Sequence, residues 1–158
     1  EGVPQALFDL AIDARAHALA PPQGYAAITA PKVLGGIVET AGLRLSEPIQ
    51  AGRFITVSVL WRAAGEAGRN YKAFVQLWDT TGERKAGHDG DPCAGACPTE
   101  GWLPGEYLED AHPLLLPDNL PPGEYRLIAG LYDPDTQRRL SAADGADVVE
   151  LDTIRISR

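Results

Sequence analysis

The 158-residue sequence has no methionine, two cysteines, and only 14 basic residues against 22 acidic ones, a formal charge of −8. The shortage of Lys and Arg argues against nucleic acid and anionic membrane as partners, because phosphate contacts need clustered cations. Long apolar runs are missing too. The runs present, for example Ala18 to Pro22 and Pro113 to Pro117, are only a few residues each, so no segment can cross a bilayer as a helix. Serine is scarce: Ser46, Ser58, Ser141 and Ser157 are all there is, and none sits in a Gly-x-Ser-x-Gly elbow. Gly35-Gly36 and Gly65-x-x-Gly68 lack the Lys-Ser/Thr that follows a phosphate-cradling loop. The missing Met leads us to expect a segment of a longer chain, or a mature form without its leader. A hydrophobic content of 44% argues against disorder. A single chain of this length can bury roughly 70% of its unfolded surface, so it folds without a metal or disulfide staple.

Residues 1–32 stand apart as an N-terminal extension or linker. Leu7, Leu10, Ala11, Ala14 and Ala18 recur at helical spacing and predict a short amphipathic helix, which Pro21-Pro22 stops. From residue 33 to 158 the period is two. Strands are expected over 36–45, 53–62, 71–79, 83–88, 105–116, 124–132 and 148–156, with a return at 138–141. Ile55, Val57, Val59 and Trp61 share one face, as do Ala73, Val75 and Leu77, and Tyr125, Leu127, Ala129 and Leu131. Pro113 places its strand at an edge or a break. Two Pro-Gly-Glu-Tyr segments, 104–107 and 122–125, read as turn-to-strand entries. About eight short strands joined by Gly/Pro turns predict an all-β fold, an antiparallel β-sandwich of jelly-roll or immunoglobulin-like type.

The chemistry-bearing residues concentrate in a long loop from Asp89 to Pro104. Cys93 and Cys97 allow three readings. A disulfide would close a very short loop, stabilise by roughly 2 kcal/mol and persist only in an oxidising compartment. Free thiols would leave the compartment open. A two-thiolate metal site would need further ligands, with His88, Asp89 and His112 as the candidates. The disulfide is the leading expectation, and no metal or cofactor is expected. Asp89, Asp91, Glu100, Glu106, Glu109 and Asp110 read as a solvated acidic rim rather than a glycosidase pair or a calcium loop. Trp61 and Trp78 are expected in the core, and Trp102 over the sandwich end. Trp102, Tyr107, Asp89 and Asp91 are nevertheless the ligand-binding candidates, since sugar sites combine aromatic faces with polar rims. His17, His88 and His112 are too scattered to argue a site, and Arg138-Arg139 reads as a solvated hairpin edge.

Five segments together carry a resemblance: Leu60-Trp-Arg-Ala63, Phe74-Val-Gln-Leu-Trp-Asp79, Pro98-Thr-Glu-Gly-Trp-Leu-Pro-Gly-Glu106, Leu120-Pro-Pro-Gly-Glu-Tyr-Arg-Leu127 and Gly130-Leu-Tyr-Asp133. Over residues 33 to 157 the chain resembles a β-sandwich domain at the C-terminus of bacterial membrane glycosyltransferase-like proteins, themselves similar to protein O-mannosyltransferases. The resemblance implies a non-catalytic, extracytoplasmic accessory domain in the cell envelope. Its partner would be a glycan or the membrane-embedded part of its own parent protein. No catalytic residue carries over, and the cysteine pair is an addition to the pattern. The alternatives are a purely structural or oligomerisation module and a small glycoside-active enzyme.

Overall fold

The computed structural model describes residues 16–157. Two four-stranded antiparallel sheets enclose one core. The first runs β1 (Val33–Leu34), β2 (Val38–Leu45), β3 (Phe54–Ala63) and β6 (Tyr107–Leu115). The second runs β5 (Arg84–Gly90), β4 (Lys72–Trp78), β7 (Gly123–Tyr132) and β8 (Val149–Ile156). The fold is therefore the antiparallel β-sandwich that the alternation predicts.

Inward parity on β3, β4 and β7 places Ile55, Val57, Val59, Trp61, Ala73, Val75, Leu77, Tyr125, Leu127, Ala129 and Leu131 in a single cluster. Each fully buried Leu, Ile or Val among them contributes about 1.5–3 kcal/mol. Pro113 lies on β6, an edge strand whose one ladder partner is β3, so a missing N–H is tolerated there. The chain runs β1 to β3 in the first sheet, β4 and β5 in the second, β6 back in the first, and β7 and β8 in the second. As a result β5 and β6, each at the edge of its own sheet, meet along one side of the sandwich.

Residues 7–15 of the expected helix lie outside the described residues. Beyond them, Ala18 bridges to Tyr107 and Ala26 to Leu43, and Ile28 joins the core. This lead-in segment is thereby fixed to both β6 and β2. Its Tyr25 hydroxyl donates to Glu109 at 3.0 Å, and the Arg44 guanidinium sits 4.5 Å from the ring centroid. Burial and then the Glu109 carboxylate push the Tyr25 phenol up to about 12, so it remains a donor at neutral pH.

The long loop is shorter than expected, because Asp89 and Gly90 belong to β5. The remainder folds into two tight turns, Pro92–Gly95 and Thr99–Gly101. Cys93 and Cys97 form a disulfide, with their Cα atoms 5.5 Å apart. Buried Thr99 donates from Oγ1 to the Arg69 carbonyl at 2.6 Å and accepts from the Tyr71 N–H at 2.9 Å. That pair of bonds ties the loop to the turn before β4.

Candidate functional site

The outer face of the second sheet carries a shallow groove of about 230 Å³, lined by Phe74, Gln76, Arg84, Asp89, Tyr132, Gln137 and Arg139. It is smaller than the ~300–1,000 Å³ of sites that enclose a drug-sized ligand. Strand parity explains its make-up. Phe74 and Gln76 alternate with the core residues of β4. Asp89 stands opposite Phe74 on β5, Gly87 opposite Gln76, and Gly130 opposite Phe74 on β7. The two glycines open the surface. A Cβ on Gly130 would lie 2.4 Å from the Phe74 ring, so the ring occupies the space a side chain would fill. A Cβ on Gly87 would run into the Arg84 guanidinium, which lies over that position.

The polar groups of the groove are held by neighbours. Trp78 Nε1 donates to Gln76 Oε1 at 2.9 Å, which settles the amide orientation and leaves the Gln76 NH2 as the outward donor. The Tyr132 hydroxyl donates to Asp89 Oδ2, and the other Asp89 oxygen remains available as an acceptor. Burial, followed by this hydrogen bond, pushes the Tyr132 phenol up to about 12. Arg139 places its guanidinium 4.6 Å from the Phe74 ring centroid, and the Phe74 and Tyr132 rings are 6.2 Å apart. Donors, one acceptor and the half-buried Tyr132 ring thus stand pre-oriented around a shallow floor, with the Phe74 ring 3% exposed beneath Arg139.

Several expectations are corrected by these positions. Trp61 is in the core, but Trp78 is half-buried on the outer face. Arg138 and Arg139 are exposed at the hairpin edge as expected, and Arg139 also lines the groove. The acidic rim is only partly a rim, because Glu106 and Asp110 are 0% and 1% exposed. Of the four ligand candidates, Asp89 lines the groove. Trp102 is 4% exposed and donates from Nε1 to the Cys97 carbonyl at 2.7 Å. It borders a separate hollow with His17, Glu66 and Glu100. Tyr107 opens β6, half-buried, with the Arg62 guanidinium 5.9 Å from its ring centroid. Asp91 is exposed at the start of the first tight turn.

The histidines are less scattered than their spacing suggests. His88 on β5 and His112 on β6 meet where the two sheet edges come together, Nδ1 to Nδ1 at 2.9 Å. His112 Nε2 lies 2.7 Å from Asp110 Oδ2, which also accepts from Trp61 Nε1 at 3.0 Å. Asp110 Oδ1 accepts from the Cys93 backbone N–H at 2.8 Å. An Nε2–H on His112 donates to the carboxylate, and in the neutral ring Nδ1 then accepts from His88. An Asp–His pair sits between the layers. It is sealed, with both members 1% exposed, and the carboxylate is filled by three N–H donors from three segments. Such a network joins the sheets and the disulfide turn, and reaches the surface only through the half-buried His88. A second buried carboxylate, Glu106, accepts from the Leu103 N–H at 2.9 Å and contacts His17 Nδ1 at 2.8 Å. Among the described residues no three His, Cys, Asp or Glu side chains are arranged to hold a metal ion.

Burial and the neighbouring His112 lower the pKa of His88, while Asp89 and Asp110 oppose the shift. A depressed histidine pKa means that the unfolded chain binds the proton more readily. The stability tied to neutral His88 is thus present above about pH 6.5 and lost as pH falls through the lower folded value. We expect the melting temperature to decline between about pH 7 and pH 5. The decline should be shallower in His88→Gln. Equal slopes in the two proteins would show that His88 is not the titrating group.

No protein-family model and no curated protein sequence matches the chain. Among solved structures, the C-terminal domain of Wzt is similar with a TM-score of 0.52 and 12% identity, covering 87% of this chain and 83% of that one. The CARDB domain of the PF1109 protein from Pyrococcus furiosus, solved in complex with di-metal ions, gives a TM-score of 0.45 and 12% identity over 90% of this chain and 99% of that one. At such identity the first likeness shows the fold alone.

Proposed function

We propose that this is a non-catalytic binding domain that holds a glycan in the groove on the outer face of β5, β4 and β7, beside a membrane glycosyltransferase outside the cytoplasm. The observation that carries the reading is the fixed polar set around Phe74 and Tyr132. Sugars present apolar ring faces and paired hydroxyls. The half-buried Tyr132 ring, the Gln76 amide, two arginines and the Asp89 carboxylate meet both demands at once. An open groove suits a segment of a long polymer, which must enter and leave sideways. The disulfide favours an oxidising compartment, and no helix among the described residues is long and apolar enough to cross a membrane. The sealed state of Asp110–His112 supports a role without catalysis.

Titration of the labelled protein with an oligosaccharide panel, followed by amide NMR shifts, tests the reading. Shifts should cluster at Gln76, Arg84, Asp89, Tyr132 and Arg139, and Gln76→Ala should weaken binding about 5- to 20-fold, one or two hydrogen bonds' worth. A flat response across the panel, or shifts centred on Trp102 and Tyr107, would defeat it.

A further inference from the structure

We infer that the glycan taken by this groove is anionic, its carboxylate or phosphate held by Arg84 and Arg139. The inference rests on the glycan reading above and narrows it. The chain as a whole is strongly acidic, at −8. Six of the twelve basic side chains among the described residues pair with a carboxylate: Lys32 with Asp144, Arg44 with Glu109, Arg69 with Asp133, Lys85 with Asp79 and Glu83, Arg139 with Asp147, and Arg155 with Glu124. Arg53, Arg62 and Arg138 lack such a pair, but the other three without one share the outer face of the second sheet. Lys72, Arg84 and Arg126 all stand there by strand parity, opposite Tyr132, Trp78 and Trp78 respectively. None of the three has a carboxylate within ion-pair distance among the described residues. Arg139 pairs with Asp147 at 3.8 Å, the same distance as Arg44 to Glu109.

The arginines are also held in place. Arg139 is seated over Phe74 at 4.6 Å, Arg126 over Trp78 at 5.6 Å, and Arg84 over the bare backbone of Gly87. A guanidinium resting on a ring or on glycine loses little further freedom when an anion docks, and its planar fork matches carboxylate and phosphate oxygens. The groove lining itself contains two arginines against one carboxylate, and Asp89 already accepts from Tyr132. Clustered cations repel one another, and one bound anionic group relieves that repulsion. A polyphosphate chain such as nucleic acid is disfavoured, because the remaining surface is negative.

Matched sugars decide the matter: glucuronic acid against glucose, mannose 6-phosphate against mannose, and inorganic phosphate alone, each titrated into the intact protein and followed by NMR. We expect at least one charged sugar to bind about tenfold or more tightly than its neutral partner, as one charge-assisted contact implies. That preference should shrink as NaCl rises from about 50 to 500 mM. Which charged sugar wins separates carboxylate from phosphate recognition. The exposed substitutions Arg84→Gln and Arg139→Gln should erase the preference without unfolding the protein, with the amide spectrum as the check. Equal binding of charged and neutral sugars at the groove overturns this inference and leaves the glycan reading standing. Binding of inorganic phosphate with no sugar bound overturns both, as does the absence of any shift.

Discussion

Replacing Asp110 by alanine should lower the unfolding free energy by about 3–5 kcal/mol, the scale for removing one partner from a buried polar network. The carboxylate accepts from Trp61 Nε1, His112 Nε2 and the Cys93 N–H. These donors come from β3, from β6 itself and from the disulfide turn. Alanine fills neither the volume nor the acceptor positions, and each donor stranded away from water costs about 1–3 kcal/mol. The turn adds to the loss. Cys93 and Ala94 both have positive φ, 57° and 54°, a backbone that non-glycine residues hold at a cost of roughly 1–2 kcal/mol each. The disulfide closes the loop on itself and does not reach β6, so losing the Cys93 N–H bond loosens the turn's tie to that strand. Asp110→Asn keeps the size and one acceptor but turns an N–H towards a donor, so its loss should be smaller. Urea unfolding followed by Trp fluorescence measures both variants. A change below about 1 kcal/mol in Asp110→Ala would mean that water replaces the carboxylate, and the sealed network would be disproved.

The second large effect belongs to the groove. Gly130→Val should abolish glycan binding there while costing about 1–3 kcal/mol of stability, the range for overpacking. A Cβ at position 130 would meet Phe74 Cζ at 2.4 Å and Cε1 at 2.8 Å, with the Asp147 carbonyl 3.1 Å away on the other side. The carbonyl is backbone and cannot yield, so the ring must move. Arg139, seated on that ring, moves with it. The double variant Gly130→Val with Phe74→Ala removes the clash, and should regain stability but not binding. Denaturation and the glycan titration together read both outcomes. Undiminished affinity in Gly130→Val would place the binding site elsewhere.

Much of the fold is legible in the residues because strand parity is a local property. Tyr125, Leu127, Ala129 and Leu131 share a face in any register that buries that face, and they do so here. The repeated Pro-Gly-Glu-Tyr segments behave as turn-to-strand entries for the same reason: Gly105 and Gly123 take φ of 88° and 143°, and the tyrosines follow at the start of β6 and within β7. The site was legible only in part. Asp89 was singled out, but in a loop, and its place beside Phe74 and Tyr132 depends on the β4–β5 and β4–β7 registers. A signal was present in Gly87 and Gly130, since glycine inside a strand marks close approach. Asp110 and His112 also carried one, as they alternate with Leu108 and Leu114 on the inward parity of β6. Reading the acidic residues as a rim concealed it.

What the sequence by itself determined is the class of structure: an alternating apolar pattern with Gly/Pro turns can bury its greasy side only in stacked sheets. Tertiary structure alone decided which strands lie next to one another. That choice pairs His88 with His112 across two sheet edges, gathers three donors on Asp110, and lays Arg139 over Phe74. The physical reason is that a side chain's face is set by its immediate neighbours along the chain, whereas its partners are set by register and sheet order, which depend on the packing of the whole.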